Sequence, residues 1–366
     1  MKKDCAVRRP RLARFQETLR REKRGAVIVA ERESVYYLSG FRGSSGWLLV
    51  TPRRAFLLTD FRYREQAEEE VVGGIRIVAD YADPVQGAVA VCRQSRWQIL
   101  EVEEAGFGFG DFRRLKSALK GCRLQPCPAL AEQQRMVKEG GELHFLREAA
   151  RRTVRVWDKL VPLLKKGMTE LKVAELLLGL IREAGGRESF EPIVAAGAHS
   201  SHPHARPSSR LLKSGMALMV DFGLEWKGYH SDLTRTLALG RYPPRFKEIY
   251  RVLLDTQSTV LAAVRPGMPA RKLDLLAREK LGQHGLDAFF GHSLGHGVGL
   301  AVHELPRINR SCRETLAAGM VFTVEPGVYL PGWGGIRIED TVLVTARGRS
   351  ILTMAPKELD SALLKW

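Results

Sequence analysis

Two widely separated stretches of this chain repeat one arrangement of acids, and that repeat limits the fold more than any other feature. Leu218-Met219-Val220-Asp221-Phe222-Gly223 leads on to Ser231-Asp232-Leu233-Thr234, and Phe322-Thr323-Val324-Glu325-Pro326-Gly327 leads on to Ile338-Glu339-Asp340-Thr341. In both, an acid follows a valine, a glycine stands two places later, and a second acid comes before a threonine. Upstream, Gly167-Met168 precedes a Leu-rich helical pattern through Ile181, and Gly267-Met268 precedes another through Leu281. Helix-and-hairpin units duplicated within one chain predict two α/β halves related by approximate two-fold symmetry. Such symmetry would bring both acidic hairpins into one four-carboxylate site.

The region before the repeat has another texture. An amphipathic stretch from Leu12 to Lys23 leads to the apolar run Ala26 to Ala30. Val35-Tyr36-Tyr37-Leu38, Trp47 to Val50, Ala55 to Thr59 and Trp97 to Val102 then read as strands, while Asp60 and the charged run Arg62 to Glu70 read as a helix start. This alternation predicts a mixed-sheet α/β domain. The Pro126-Cys127-Pro128 segment marks its end, so residues 1–130 are expected to form one domain and residues 131–366 a second. The second opens on a long helical pattern, Glu142 to Leu164, closed by Lys165-Lys166-Gly167. A length of 366 residues suits two domains.

Composition removes several other classes. With 45% hydrophobic and 27% charged residues the chain can bury a core, which excludes a disordered or fibrous protein. No run approaches the roughly 18 uncharged residues of a spanning helix, and no apolar segment follows the basic N-terminus, so a cytoplasmic protein is expected. Cys5, Cys92, Cys122, Cys127 and Cys312 lack C-x-x-C spacing and read as reduced thiols. A net charge of +17 is the footprint of a nucleic-acid binder, but the basic residues are spread along the chain. They read as a solvated surface, with neither nucleic acid nor membrane as partner.

Asp221 and Glu325 each end an apolar run, where a carboxylate is costly unless paired, protonated or on a metal. Four acids in one cluster need multivalent positive charge, and oxygen-rich ligation suits Mn²⁺-like ions better than a structural zinc. A third constellation runs from His292 to Glu304 and holds His292, His296 and His303. It is not a dinucleotide loop, because Leu300 stands where the last glycine is required. Nor is it a zincin helix, because His303-Glu304 has no second histidine after it. Its glycines suggest a backbone that approaches a ligand closely. His202-Pro203-His204 reads as a loop.

Asp221, Asp232, His296, Glu325 and Glu339 resemble the five metal ligands of the pita-bread-fold metallopeptidases, which include aminopeptidase P, prolidase, methionine aminopeptidase and the metal-free creatinase. Arg135-Met136-Val137-Lys138, Val194-Ala195-Ala196-Gly197, Pro203-His204, Ser231 to Thr236, the glycine-histidine stretch, Glu325-Pro326-Gly327 and Gly335 to Asp340 stand in family order. Tyr36 to Phe41 and Thr59 to Tyr63 resemble the N-terminal domain of the proline-specific branch. Ser293 and Ala196 depart from the pattern without touching a ligand.

The resemblance implies a creatinase-like N-terminal domain followed by a pita-bread catalytic domain. It implies two divalent ions per chain, Mn²⁺ first and Co²⁺ or Zn²⁺ as alternatives, with Asp232 and Glu339 bridging, Asp221 on one ion, and His296 and Glu325 on the other. Glu325 would also accept the proton of the attacking water. His204, His292 and His303 would position the substrate, and Arg337, two residues from Glu339 and so expected on the same strand face, would hold a ligand carboxylate. The implied reaction is hydrolysis of the N-terminal Xaa-Pro bond of peptides by a homodimer. Xaa-Pro dipeptidase is the alternative, and a non-catalytic nucleic-acid-binding relative, whose mark would be lost ligands, the remote one.

Overall fold

The computed structural model describes residues 2–366, with side chains from Pro10 onward, so Cys5 lies outside the described side chains. Cys92, Cys122, Cys127 and Cys312 are free thiols. Two compact units meet in sequence between Arg135 and Met136. Among the described residues no helix is long and apolar enough to cross a membrane.

The first unit is a six-stranded mixed sheet with helices α1 (Lys2–Arg21), α2 (Arg32–Ser39), α3 (Arg64–Glu70), α4 (Pro84–Ser95), α5 (Phe109–Ala118) and α6 (Leu130–Arg135). Its strands β1 (Ala26–Val29), β2 (Trp47–Val50), β3 (Ala55–Leu58), β4 (Ile75–Val78), β5 (Ile99–Glu103) and β6 (Arg123–Cys127) lie in the order β4-β3-β2-β1-β5-β6. Ile28, Leu49, Leu58, Ala88, Leu100 and Leu115 form the centre of its core. One expectation fails here. Val35-Tyr36-Tyr37-Leu38 is helical, within α2, and not a strand. Ser34, Val35, Tyr37, Leu38 and Ser39 are the buried positions, a grouping that one side of a helix satisfies and strand alternation does not. Gly40, at φ 91°, closes the helix by donating its N–H to Tyr36 O.

The second unit is built twice. Helices α7 (Gly140–Leu160) and α8 (Glu170–Glu183) are followed by β7 (Arg187–Glu188), β8 (Ile193–Ala196), β9 (Ala217–Phe222), β10 (Leu224–Glu225) and β11 (Leu233–Leu239). Helices α9 (Phe246–Ala263) and α10 (Arg271–Gly282) are followed by β12 (Gly295–Gly297), β13 (Glu304–Ile308), β14 (Val321–Val324), β15 (Gly327–Leu330), β16 (Gly334–Arg337), β17 (Asp340–Thr345), β18 (Gly348–Ile351) and β19 (Leu363–Leu364). The antiparallel trio β8-β9-β11 answers β12-β14-β17.

Each trio is covered by its own helix pair. Trp157, Leu160, Val173, Leu177 and Ile181 pack on Val194, Leu218, Val220 and Leu237. Ile249, Leu253, Val260, Leu273, Ala277 and Leu281 pack with Phe322, Val324, Val342 and Val344. α7 begins with a reciprocal capping box between Glu139 and Glu142 and stops at Leu160, just before Val161-Pro162.

Candidate metal centre

The middle strand of each trio delivers the first acid of its half. Asp221 lies near the end of β9 and Glu325 directly follows β14. The second acid sits at the start of the neighbouring strand, Asp232 before β11 and Glu339 before β17. Register explains the shared threonines: Asp221 pairs with Thr234 across β9 and β11, and Thr323 with Thr341 across β14 and β17. The halves then cross. Glu339 N donates to Thr234 O at 3.2 Å, Thr234 Oγ1 donates to Glu339 Oε2 at 2.6 Å, and Thr341 Oγ1 donates to Asp232 O at 2.9 Å.

His296, in the middle of β12, completes the cluster. Ligand-type atoms of Asp232, His296 and Glu339 lie within 4.8 Å of one another. His296 Nε2 is 3.4 Å from Glu325 Oε1 and 3.6 Å from Asp232 Oδ2. Asp221 is held by Arg337 Nη2. A cavity of about 480 Å³ opens over these groups, and His204, His292 and His303 are on its wall with Phe190, Ile193 and Arg206.

The electrostatics of the site oppose four free carboxylates. Burial, and then the Glu339 charge, push Asp232 well above the ordinary carboxyl range. Burial and the charges of Glu325 and Asp221 do the same to Glu339. Burial lifts Glu325 to about 7 against the pull of Arg337. Burial, with the Arg337 charge, drives His292 down to about 3, so its ring is neutral near pH 7. Asp221 Oδ1, Asp232 Oδ1 and Glu339 Oε1 are buried without a hydrogen-bond partner. Acidic oxygens converging without donors, beside a neutral imidazole, fit divalent cations.

A neighbouring acid shows what a structural carboxylate looks like instead. Asp340 accepts from Arg235 Nη2 at 2.7 Å and from Lys357 Nζ at 2.5 Å, so its charge is answered by the chain.

Two sequence arguments meet a different geometry. The glycines of the histidine stretch serve strand packing: a Cβ on Gly295 would collide with Thr323 O, one on Gly297 with Leu305 O, and one on Gly299 with the Glu304 carboxylate. Arg337 and Glu339 do not share a strand face, since β16 ends at Arg337 and β17 begins at Asp340 in another sheet. Sequence reasoning also missed several supporting side chains. Tyr329 bridges Arg337 Nη1, at 2.6 Å, and His292 Nε2, at 3.0 Å. Thr323 Oγ1 donates to Glu325 Oε1 at 3.0 Å and accepts from His296 N. Thr234 and Thr341 had a signal, their recurrence after the second acids, whereas Thr323, answered by Met219 in the first half, had none. Tyr329 had none.

Comparisons with known proteins agree along the whole chain. Residues 144–346 match the model of metallopeptidase family M24, and residues 11–137 match that of the creatinase/prolidase N-terminal domain. The uncharacterized peptidase YqhT of Bacillus subtilis is 36% identical over 91% of this chain and 94% of its own length. An Xaa-Pro dipeptidase from Bacillus anthracis superposes with a TM-score of 0.91 at 32% identity, covering 97% of this chain and 99% of that one. An X-Pro aminopeptidase from Thermotoga maritima superposes with a TM-score of 0.81 at 34% identity, covering 91% and 96%.

Proposed function

This chain belongs to metallopeptidase family M24, and from that membership we propose that it removes the N-terminal residue of peptides whose second residue is proline. The observation that carries the reading is the convergence of Asp221, Asp232, His296, Glu325 and Glu339 under a cavity walled by histidines. The centre would take two divalent ions, Mn²⁺ best suited to its oxygen-rich donors and Co²⁺ or Zn²⁺ acceptable. Asp232 and Glu339, one from each half, would hold both ions; Asp221 would hold one, and His296 and Glu325 the other. When bound, the ions supply positive charge that acidifies a water and offsets the charge developing on the attacked carbonyl.

The chain's own residues do the rest. Glu325 takes the proton of the attacking water, its acid strength set between burial and Arg337. Arg337 holds Asp221 in place through Nη2, and Thr234 holds Glu339. His204, His292 and His303 orient the peptide and stabilise the polarised carbonyl or departing nitrogen. Neutral His292 can donate or accept a hydrogen bond without adding charge. Proline's tertiary amide has no N–H to be recognised, so the apolar wall of Phe190 and Ile193 suits the ring by shape.

A second reading is Xaa-Pro dipeptidase, favoured by the name and high TM-score of the Bacillus anthracis structure. Turnover of metal-reconstituted protein on Xaa-Pro, Xaa-Pro-Yaa and Xaa-Ala-Yaa peptides separates the two. Activity on the tripeptide supports the aminopeptidase, activity confined to the dipeptide supports the dipeptidase, and equal rates on alanine and proline reject both.

A further inference from the structure

Away from the metal centre, each half holds one buried acid in the first turn of its second helix. Glu170 opens α8 and Asp274 lies in the first turn of α10, and both are fully buried. Their partners are all in, or reach, a loop that carries a cavity histidine.

Glu170 grips the segment from 196 to 208, which bears His204. Its Oε1 accepts from Ala196 N at 2.8 Å, and its Oε2 from Ser208 N at 3.0 Å and Ser208 Oγ at 2.6 Å. His199 Nδ1 lies 2.9 Å from the same oxygen. One carboxylate thus fastens both ends and the middle of the loop.

Asp274 grips the segment from 290 to 294, which bears His292, and it does so together with Arg278. Asp274 Oδ1 accepts from Leu294 N at 3.1 Å, and Oδ2 accepts from Arg278 Nε at 2.8 Å. Arg278 then donates from Nη1 to Phe290 O at 2.9 Å and from Nη2 to His292 O at 2.7 Å. Its guanidinium lies 4.5 Å from the Phe290 ring centre, and that ring meets His292 edge to face at 5.0 Å.

We infer that Glu170 and the Asp274–Arg278 pair are positioning residues, each fixing one cavity histidine, His204 and His292 respectively, for the substrate. The inference rests on the substrate role of those histidines given under the proposed function. A fixed ring can keep a catalytic hydrogen bond that a loose loop loses, an effect of about 10- to 100-fold for supporting side chains. Arg278→Lys keeps a positive charge beside Asp274 but cannot reach two carbonyls at once. Glu170→Gln keeps the shape of the side chain and removes the charge that draws its donors together.

Four double-mutant cycles test this on the metal-loaded enzyme, read as kcat/KM on an Xaa-Pro-Yaa peptide, with Tm, metal content and the Kd of a competing peptide measured alongside. Arg278→Lys should cost about tenfold or more in the wild-type background and nearly nothing further in His292→Ala. Glu170→Gln should behave likewise with His204→Ala. The crossed pairs, Arg278→Lys with His204→Ala and Glu170→Gln with His292→Ala, should keep their full losses, at unchanged metal content. Multiplying losses in the matched pairs, with the histidine variants impaired, would overturn the inference and leave the proposed function standing. Wild-type rates in His204→Ala and His292→Ala would remove the histidine reading itself. Should one positioning variant fail to fold, the cycle on the other half decides alone.

Discussion

The two halves of the catalytic unit share a plan and differ in what they give the site. Both supply a helix pair, a three-stranded antiparallel sheet, an acid at the end of the middle strand and an acid at the start of the next. Yet β8 ends in Ala195-Ala196, whereas its counterpart β12 is Gly295-His296-Gly297. Only the second half inserts an imidazole, and it needs glycines to do so. The first half compensates with length: its loop from 197 to 204 carries His204 to the cavity wall. Duplication therefore sets the positions of the carboxylates, and asymmetry between the copies supplies His296 and the reach of His204.

If the halves contribute one shared centre, removing a proposed bridging acid from either should be equally damaging. Asp232→Asn and Glu339→Gln should each lower kcat by several orders of magnitude at saturating Mn²⁺, with Tm little changed in chelator. A large loss in one alone would mean that one half carries the chemistry. Chelation should abolish turnover and Mn²⁺ or Co²⁺ restore it. Metal at 100 times its Kd should add about 2.7 kcal/mol of stability per site, and a melting curve indifferent to chelator would contradict the site.

The paired threonines should separate function from support. Thr234 donates to a proposed ligand, so Thr234→Val should cut kcat/KM by about 10- to 100-fold. Thr341 donates to a backbone carbonyl, so Thr341→Val should cost about 1 kcal/mol in denaturant unfolding and little activity. Matching activity losses would erase the distinction. Next comes the strand pair. Gly297→Ala should destabilise by about 1–3 kcal/mol or more, because the Leu305 carbonyl of the neighbouring strand occupies the space. Ala196→Gly, at the answering position, should cost only about 0.5–1 kcal/mol. Equal urea midpoints would argue against the packing role of the glycines.

The N-terminal unit offers a contrast for the acids themselves. Glu103 is buried, accepts from Ala131 N at 2.8 Å and leaves Oε2 without a partner. Burial raises its pKa to about 8, so it resolves its charge by protonation and not by a cation. The folded state then holds more protons than the unfolded state between about pH 4.5 and 8. Its contribution is complete below 4.5 and is lost as pH rises through that window, at up to about 1.4 kcal/mol per pH unit. Glu103→Gln should flatten this slope in urea titrations without altering turnover. An unchanged slope would show that Glu103 is ionised in the fold.

Much of this was legible in the sequence because acids in apolar strands are costly and therefore conspicuous. The repeated arrangement of residues around Asp221 and Asp232 and around Glu325 and Glu339 foretold a shared cluster, and two α/β halves followed from the same pattern. What escaped notice depends on contacts between distant segments. Val35-Tyr36-Tyr37-Leu38 looks like a strand until Gly40 caps it as a helix. The glycines around His296 looked ligand-facing because sequence does not reveal the Thr323 and Leu305 carbonyls pressed against them. Tyr329, Glu170 and Asp274 are ordinary residues of a strand and two helices, and only tertiary packing brings Tyr329 to Arg337 and His292 and the two acids to the loops that carry His204 and His292.

The bonds that hold the centre together join residues far apart: Thr234 to Glu339 across 105 positions, Asp232 to Thr341 across 109, and Asp221 to Arg337 across 116. Local hairpins and helix pairs can form early in either half, but these bonds come only after a long loop has closed, which slows folding. The mutually repelling carboxylates are therefore expected to meet late in folding. A cation able to neutralise them favours that final step, so the ion required for turnover should also speed recovery of the native state from denaturant.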